Sequence, residues 1–501
     1  MSAPFQSAEE YELEHRFSIG SERIPDFNEA HRLQLLRFIG STAEYRYRYQ
    51  QLVRRKSRTL VPLWARILLC TLLACILMTA ILFPSYTRVP PHYHALRDRV
   101  ESSKTQHGLG NPRNEKVFIA AVLYDPQGDL AAGPWGRALL RLIELLGEQN
   151  VFLSIYENNS GENGETALQA LTSQVSCNHS IVSQPGLDLN GLSRVVLPGG
   201  EKRIRRIDYL SAIRNRALFP LEQQNVEGIY YDKLLYLNDV IFDPVEALQL
   251  LFCTNADAHG IAQYRAACAV DFSNAFKFYD TYAMRDLEGY EIGMPFYPWF
   301  TSAGNAQSRQ DVLSGRDAVR VRSCWGGMVA FDARFFQGRN PLRFRSGNEL
   351  FWDASECCLV HADLQQIPSV TETGALTDTD TKPDTGIYMN PFIRVAYDAR
   401  SHAWLWTTRR IEALYPIMHD ILSRLAGYPR ANPRRAEIAG QAVHNEVWVA
   451  DNRDAATPGM GRFQTVERMA SNDGFCGRRG LEVLIEDRKP GQDGFEAVPI
   501  G

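Results

Sequence analysis

The chain has 501 residues, 45% of them hydrophobic and 22% charged, with a formal net charge of −4. That is ordinary globular composition, with room for one large catalytic domain and extensions. It carries no basic surplus of the kind nucleic-acid binding leaves, so nucleic acid is excluded as the expected partner.

Residues 1–62 read as a cytosolic tail, with an amphipathic helix from about Asn28 to Arg55 and a Tyr/Arg alternation over Tyr45–Tyr49 suited to anchoring near a membrane. Ile67 to Phe83 is 17 residues without a charge. At ~1.5 Å per residue it spans about 25 Å, and Leu63, Trp64 and Ala65 extend it toward the ~30 Å of a hydrocarbon core. Arg54, Arg55, Lys56 and Arg58 precede it, and no matching basic cluster follows. The positive-inside bias makes residues 63–83 a single-pass type II anchor, with the remainder luminal.

Cys70 and Cys75 belong to that run. Seven cysteines lie beyond it without a CxxC or Cys/His zinc pattern, so up to three disulfides and one free thiol are expected, with the pairing open. Asn158-Asn-Ser160 and Asn178-His-Ser180 are sequons that a luminal domain could use. Residues 84–115, rich in Pro, His, Ser and charge, read as a stem holding the catalytic domain off the membrane.

From Lys116 the pattern alternates. Val117–Tyr124 and Val151–Tyr156 read as buried strands around a helix from Pro134 to Gly147, a βαβ unit that implies a parallel sheet. A helix near Asp208–Phe219 leads to a further strand, Leu234–Leu237. Asp243-Pro244 then opens another helix, with Pro at its first position. The expected class is α/β, with a catalytic domain over 116–375 and its C-terminal part over 376–501. After about Gly289 the pattern is irregular, and Thr371–Thr385 reads as a polar loop.

The chemistry collects at the strand ends. Asn238-Asp239 follow the apolar run Leu234–Leu237, where open α/β sheets gather ligands. A carboxylate there can hold Mn²⁺ or Mg²⁺, which take oxygen ligands, although a strand-ending Asx turn would use the same residues. Glu157 ends the second strand before a polar loop and suits a ribose or a base. Lys202–Arg216 carries six basic residues, and Arg206 falls within about 40° of Leu210, Ile213 and Ala217 on a helical wheel, where a diphosphate or a carboxylate would partner it. Trp325-Gly326-Gly327 would let backbone approach a sugar while Trp325 offers a stacking face. Asp353, Glu356, His361 and Asp363 cluster after it; carboxylates could orient an acceptor hydroxyl, and His361 could complete a metal shell.

Several of these segments, in this order, resemble one family. They are Arg206-x-x-Tyr-Leu-x-x-x-Arg-Asn215, Tyr236-Leu-Asn-Asp-Val240, Ala267–Phe272, Phe278–Asp286, Cys324-Trp-Gly-Gly327, Ser355–Asp363, Asn390–Tyr397 and Gly474–Gly477. Together they resemble the fungal capsule-associated mannosyltransferases, glycosyltransferase family 69, of the cryptococcal α-1,3-mannosyltransferase type, over about Lys116 to Gly480. The resemblance implies a Golgi type II membrane enzyme of GT-A-like fold that transfers mannose with retention from GDP-mannose to a mannose-bearing glycan of a capsule or cell wall. It puts Asp239 at the metal, with Leu237 where a general Asp-x-Asp motif has its first Asp; His361 is the candidate for a further ligand. Glu157, Arg206, Asn215, Asn238, Trp325, Gly326 and Gly327 are expected at the donor, and Glu356 or Asp353 in catalysis. The alternatives are the same fold with a UDP-sugar donor and a catalytically silent scaffold for glycan assembly.

Overall fold

The computed structural model describes residues 63–103, 106–184, 186–368, 384–450, 461–486 and 494–500. The tail over 1–62, its basic cluster and most of the loop Thr371–Thr385 lie outside them. The chain divides into two units, Met1–Leu82 and Phe83–Gly501. In the first, Leu63–Leu82 is one helix, and the apolar stretch Trp64–Leu82 is long enough to cross a membrane and has no buried residue.

The second unit is built on a mixed sheet. Its strands, in chain order, start with β1 (Val117–Leu123), β2 (Val151–Asn158) and β3 (Asn178–Gln184), then the short hairpin β4 (Arg194–Val196) and β5 (Lys202–Ile204). β6 (Lys233–Leu237), β7 (Ala266–Phe272), β8 (Arg285–Asp286), β9 (Val319–Ser323), β10 (Met328–Asp332), β11 (Trp352–Ala354) and β12 (Ile387–Ala396) follow. Nine of them form one sheet in the order β3-β2-β1-β6-β10-β7-β12-β9-β8. Only β9 and β10 run against the rest, so the expected α/β architecture with a mostly parallel sheet is what forms.

The reason lies in the strands themselves. β1, β6 and β7 are almost wholly apolar and buried on both faces, as strands covered by helices on either side must be. The helix Pro134–Leu146 presents Leu139, Leu142, Ile143 and Leu146 to the core, and Asp243 caps the helix Pro244–Cys253 by accepting from Val245 N at 2.7 Å. Because β1, β2, β6, β7 and β12 share one direction, their carboxyl ends meet along one edge. The turn before the reversed strand β10 arrives at that same edge.

Two expectations are corrected here. Residues 84–115 are no free stem. The helix Pro91–Glu101 buries Tyr93, Leu96 and Val100, the Tyr93 hydroxyl accepts from Asn390 Nδ2 at 2.7 Å, and Tyr86 packs edge-on against Phe392. The aromatic residues scattered among Pro and His make this segment part of the core. Asn158 is buried and donates to the Tyr209 hydroxyl at 2.7 Å, which removes it as a glycan acceptor in the folded chain; Asn178 is exposed.

Two disulfides form, Cys268–Cys324 and Cys358–Cys476, leaving Cys177, Cys253 and Cys357 as buried thiols. The first joins β7 to the residue before Trp325. The second ties the helix Glu356–Gln366 to the segment Phe475–Gly477.

Candidate active site

Asn238 and Asp239 leave β6 at the shared edge, as the apolar run demands: five buried residues end where the backbone must turn out of the sheet. Asn238 is gripped on all sides. Its N–H donates to Gly327 O at 2.9 Å, its carbonyl accepts from Trp135 Nε1 at 3.0 Å, and its Oδ1 accepts from Trp325 Nε1 at 3.2 Å. The Asp239 side chain is different. Apart from its own N–H, no described residue donates a hydrogen bond to it. Burial raises its carboxyl above the usual range, and the negative charge of Asp125 adds to this while Arg214 opposes it. A partly buried carboxylate without a partner, beside a second carboxylate, suits a divalent cation with oxygen ligands.

The Trp325-Gly326-Gly327 turn clamps this strand end. Both glycines have positive φ, 60° and 68°, and a Cβ at Gly326 would sit 2.0 Å from Ala269 O. Only glycine lets the turn lie flat on β7. Trp325 is buried rather than open to a sugar. Its ring face carries the Arg214 guanidinium, 4.4 Å from the centroid, with Tyr236 and Phe344 completing the cage. Arg214 Nε donates to Glu356 Oε1 at 2.8 Å, and its Nη1 lies 3.4 Å from Asn238 Oδ1. Glu356 is buried at the start of its helix, where a carboxylate also favours the helix N-terminus. Arg214, Glu356, Asn238 and Trp325 thus form one connected group next to Asp239.

The structure also gathers acids that the sequence reading left without a role. Asp271, the next-to-last residue of β7, accepts from Asp280 N at 3.1 Å and from the Tyr397 hydroxyl at 3.1 Å, and Asp280 accepts from Gly326 N at 3.3 Å. Burial, reinforced by Asp280, pushes the Asp271 carboxyl up to about 8. Tyr397 feels the charges of Asp271, Asp239 and Asp280. The signal was available: Asp271 ends an apolar strand just as Asp239 follows one, and both Asp271 and Asp280 fall inside segments quoted for the resemblance.

Other expected site residues lie elsewhere. His361 is fully buried in its helix, its Nδ1 2.7 Å from Cys357 O, with its ring centroid 5.6 Å from that of Phe331. Burial lowers its pKa to about 4. It sits within 4.8 Å of Cys268 and Cys324, whose sulfurs are joined to each other and offer no ligand. The helix turns it into the core beneath the sheet, away from the edge, so it does not complete a metal shell with Asp239. Glu157 is buried with both oxygens engaged, accepting from Ser160 N at 2.6 Å and from the Ser183 hydroxyl. It braces the β2 loop instead of facing a nucleotide.

Asn215 exchanges two hydrogen bonds with the backbone of Phe344, at 2.8 and 3.0 Å, and so holds the Arg214 cage closed. Arg206 pairs with Glu482 at 3.1 Å under the Phe495 ring. It belongs with Asp353, whose carboxyl burial raises to about 6 while Arg206 lowers it. The basic residue that reaches the strand end is therefore Arg214, two helical turns further on.

Among curated proteins none matches the chain. Two of the solved structures that match the chain show how distant the likeness is. The mannosyltransferase PcManGT from Pyrobaculum calidifontis, in complex with GDP-Man and Mn²⁺, is 9% identical, with 72% of this chain and 75% of that one covered at a TM-score of 0.29. Mannosyl-3-phosphoglycerate synthase from Rubrobacter xylanophilus is 14% identical, with 78% and 94% covered at a TM-score of 0.27. The family model described as cryptococcal mannosyltransferase 1 matches residues 116–363, from the first strand through the helix that carries Glu356. By that match the chain belongs to the capsule-associated mannosyltransferase family and is a mannosyl glycosyltransferase.

Proposed function

We propose that the protein is a membrane-anchored α-1,3-mannosyltransferase that uses GDP-mannose as donor and a mannose-bearing glycan as acceptor, with Mn²⁺ or Mg²⁺ bound. The observation that carries this reading is the partnerless Asp239 carboxylate at the carboxyl end of β6. Asp239 would hold the cation, with Asp125 as the neighbouring carboxylate in place of His361. A cation bound there supplies charge neutralisation for the departing diphosphate.

The chain's own groups do the rest. Asn238, gripped by Trp135, Trp325 and Gly327, holds the strand end in register for the donor. Gly326 and Gly327 let the turn lie against β7, where a Cβ would meet Ala269 O or the Val240 side chain. Arg214 is locked by the Trp325 face and by Glu356, which leaves a rigid positive charge for a developing phosphate charge. Glu356 is the group to orient the acceptor or to face the oxocarbenium-like centre, with Asp353 in the adjoining polar cluster. The helix Leu63–Leu82 would serve as the type II anchor and place the domain in the Golgi lumen, consistent with two disulfides and an exposed sequon at Asn178.

The test is nucleotide release and mannoside extension by the full chain and by Asp239→Ala, offered GDP- and UDP-sugars with and without Mn²⁺. Extension from GDP-mannose that needs both the metal and Asp239 supports the proposal, and the product's linkage is read by methylation analysis. Turnover with a UDP-sugar alone overturns the donor. Full activity of a folded Asp239→Ala variant overturns the metal role. The silent-scaffold alternative requires that no donor be turned over and that no metal-dependent nucleotide binding be seen.

A further inference from the structure

The helix Tyr415–Leu425 is amphipathic in the wrong direction. Its buried residues are His419 and Ser423. His419 Nε2 lies 3.1 Å from Trp299 O, and Ser423 Oγ accepts from Met294 N at 3.1 Å. The opposite side presents Ile417, Met418, Ile421 and Leu425, continued by Leu414, and Ile417 and Leu425 are 75% and 80% exposed. At ~100° per residue these five side chains fall within an arc of about 100°. The preceding helix, Ala399–Thr408, adds Trp404 and Trp406, both about half exposed. A soluble surface rarely keeps so many large apolar side chains together unless something covers them.

The chain itself says what lies close by. Ser85 N donates to Arg409 O at 2.9 Å, and Arg409 Nη1 donates to Tyr86 O at 3.4 Å. Arg409 follows the helix Ala399–Thr408 in the chain and precedes the helix Tyr415–Leu425. Ser85 follows the end of the long apolar helix, Leu82, by three residues, which at ~3.5 Å per residue reach no more than about 11 Å. No spacer intervenes, because Tyr86 and Tyr93 are already in the core.

The charge around the patch fits as well. From Ala399 to Arg430 the exposed charges are Arg400, Arg424 and Arg430, with Arg410 half-exposed over the Trp406 ring, while Glu412 is buried against Arg394 and Asp420 pairs with Arg309. Indoles beside arginines, around an aliphatic stripe, are what a headgroup boundary accommodates.

We propose that the face formed by the helices Ala399–Thr408 and Tyr415–Leu425 seats the catalytic unit on the lipid bilayer, with Ile417, Met418, Ile421 and Leu425 in the acyl boundary and Trp404 and Trp406 at headgroup level. This rests on the reading of Leu63–Leu82 as a membrane anchor. It gives the enzyme a second, monotopic contact that sets the orientation of its active edge relative to the membrane, so that glycans carried at or near that surface become the favoured acceptors.

The test uses the full chain reconstituted into phosphatidylcholine–phosphatidylserine vesicles with brominated acyl chains, read by quenching of tryptophan fluorescence. Trp64→Phe reports the anchor by itself. Trp404→Phe/Trp406→Phe removes the two indoles of the patch and should lower the quenched amplitude about threefold, because they are two of the three indoles expected near lipid. Ile417→Glu/Ile421→Glu should lower it in the same way without loss of nucleotide release. An unchanged amplitude in the double-Phe variant, with Trp64 still quenched, overturns the seat and leaves the anchor standing. Loss of quenching at Trp64 as well overturns both. Unquenched patch indoles together with disulfide-linked dimers of an Ile421→Cys variant would make a second copy of the chain the occupant, and would also overturn the proposal.

Discussion

The carboxyl edge of the sheet and the surface of the helix Tyr415–Leu425 break the same rule in opposite directions. At the edge, Asp239, Asp271, Glu356 and Arg214 are drawn into partly or wholly buried positions. On the helix, Ile417, Ile421 and Leu425 are left in water while His419 and Ser423 are buried. Neither arrangement favours the stability of an isolated soluble domain, and local departures of this kind are expected where function has been placed. The lesson of the pair is that burial has to be read against residue type: buried charge marks the chemistry, and exposed aliphatic surface marks what the protein rests on.

The comparison predicts unequal costs. The largest belongs to Arg214. Removing one partner of a buried, hydrogen-bonded ion pair costs about 3–5 kcal/mol, so Arg214→Ala should lower stability by that order and abolish turnover. In a denaturation cycle, Arg214→Ala/Glu356→Ala should be less destabilised than the sum of the single variants. Additivity would show that the two side chains do not act as a pair.

Next comes Asp239→Asn, which keeps the shape of the side chain but loses the charge. Turnover should fall on the order of 10²–10³-fold, with the melting temperature unchanged or raised, because a partnerless carboxylate has been removed. A large fall in melting temperature would instead make Asp239 a structural residue.

His361 should act through pH. Its folded pKa of about 4 lies below the unfolded value near 6.5, so between those pH values the unfolded chain binds the extra proton. Stability therefore rises with pH across that window and is lost as pH falls through it, by about 3 kcal/mol. His361→Leu should flatten this part of the pH–stability profile and leave Mn²⁺ dependence intact. An altered metal dependence would restore the ligand role that its burial denies.

The smallest effect belongs to the apolar surface. Ile417→Glu and Ile421→Glu should each change stability by no more than about 0.5 kcal/mol, as exposed substitutions do. A loss of several kcal/mol in chemical denaturation would mean that the helix packs on something in the folded chain.

Local sequence carried much of this. Apolar runs ending in polar residues were enough to place β1, β2 and β6 and the helices around them, because a strand buried on both faces must be continuous in hydrophobicity. They also marked Asn238-Asp239 as the strand end, and the uncharged run Ile67–Phe83 as a helix long enough to span a bilayer. β3, β7, β9, β10 and β12 were not legible as strands, and for β9, β10 and β12 the reason is that they lie between irregular segments with pairing partners far away in sequence.

What only the tertiary structure decided was which side chains meet. A helical wheel puts Arg206 on the apolar side of its helix, but the distance along that helix to the strand end selects Arg214. The clustering of Glu356 and His361 in sequence says nothing about one facing the edge and the other the core, because the helix rotates them apart. The same holds for Glu157, whose oxygens are taken by Ser160 and Ser183, and for Asp271 and Asp280, nine residues apart and joined only once the chain folds back at Tyr279. Hydrophobic periodicity is local and survives in one dimension. Partnering of charges depends on long-range register, and that exists only after the sheet has formed.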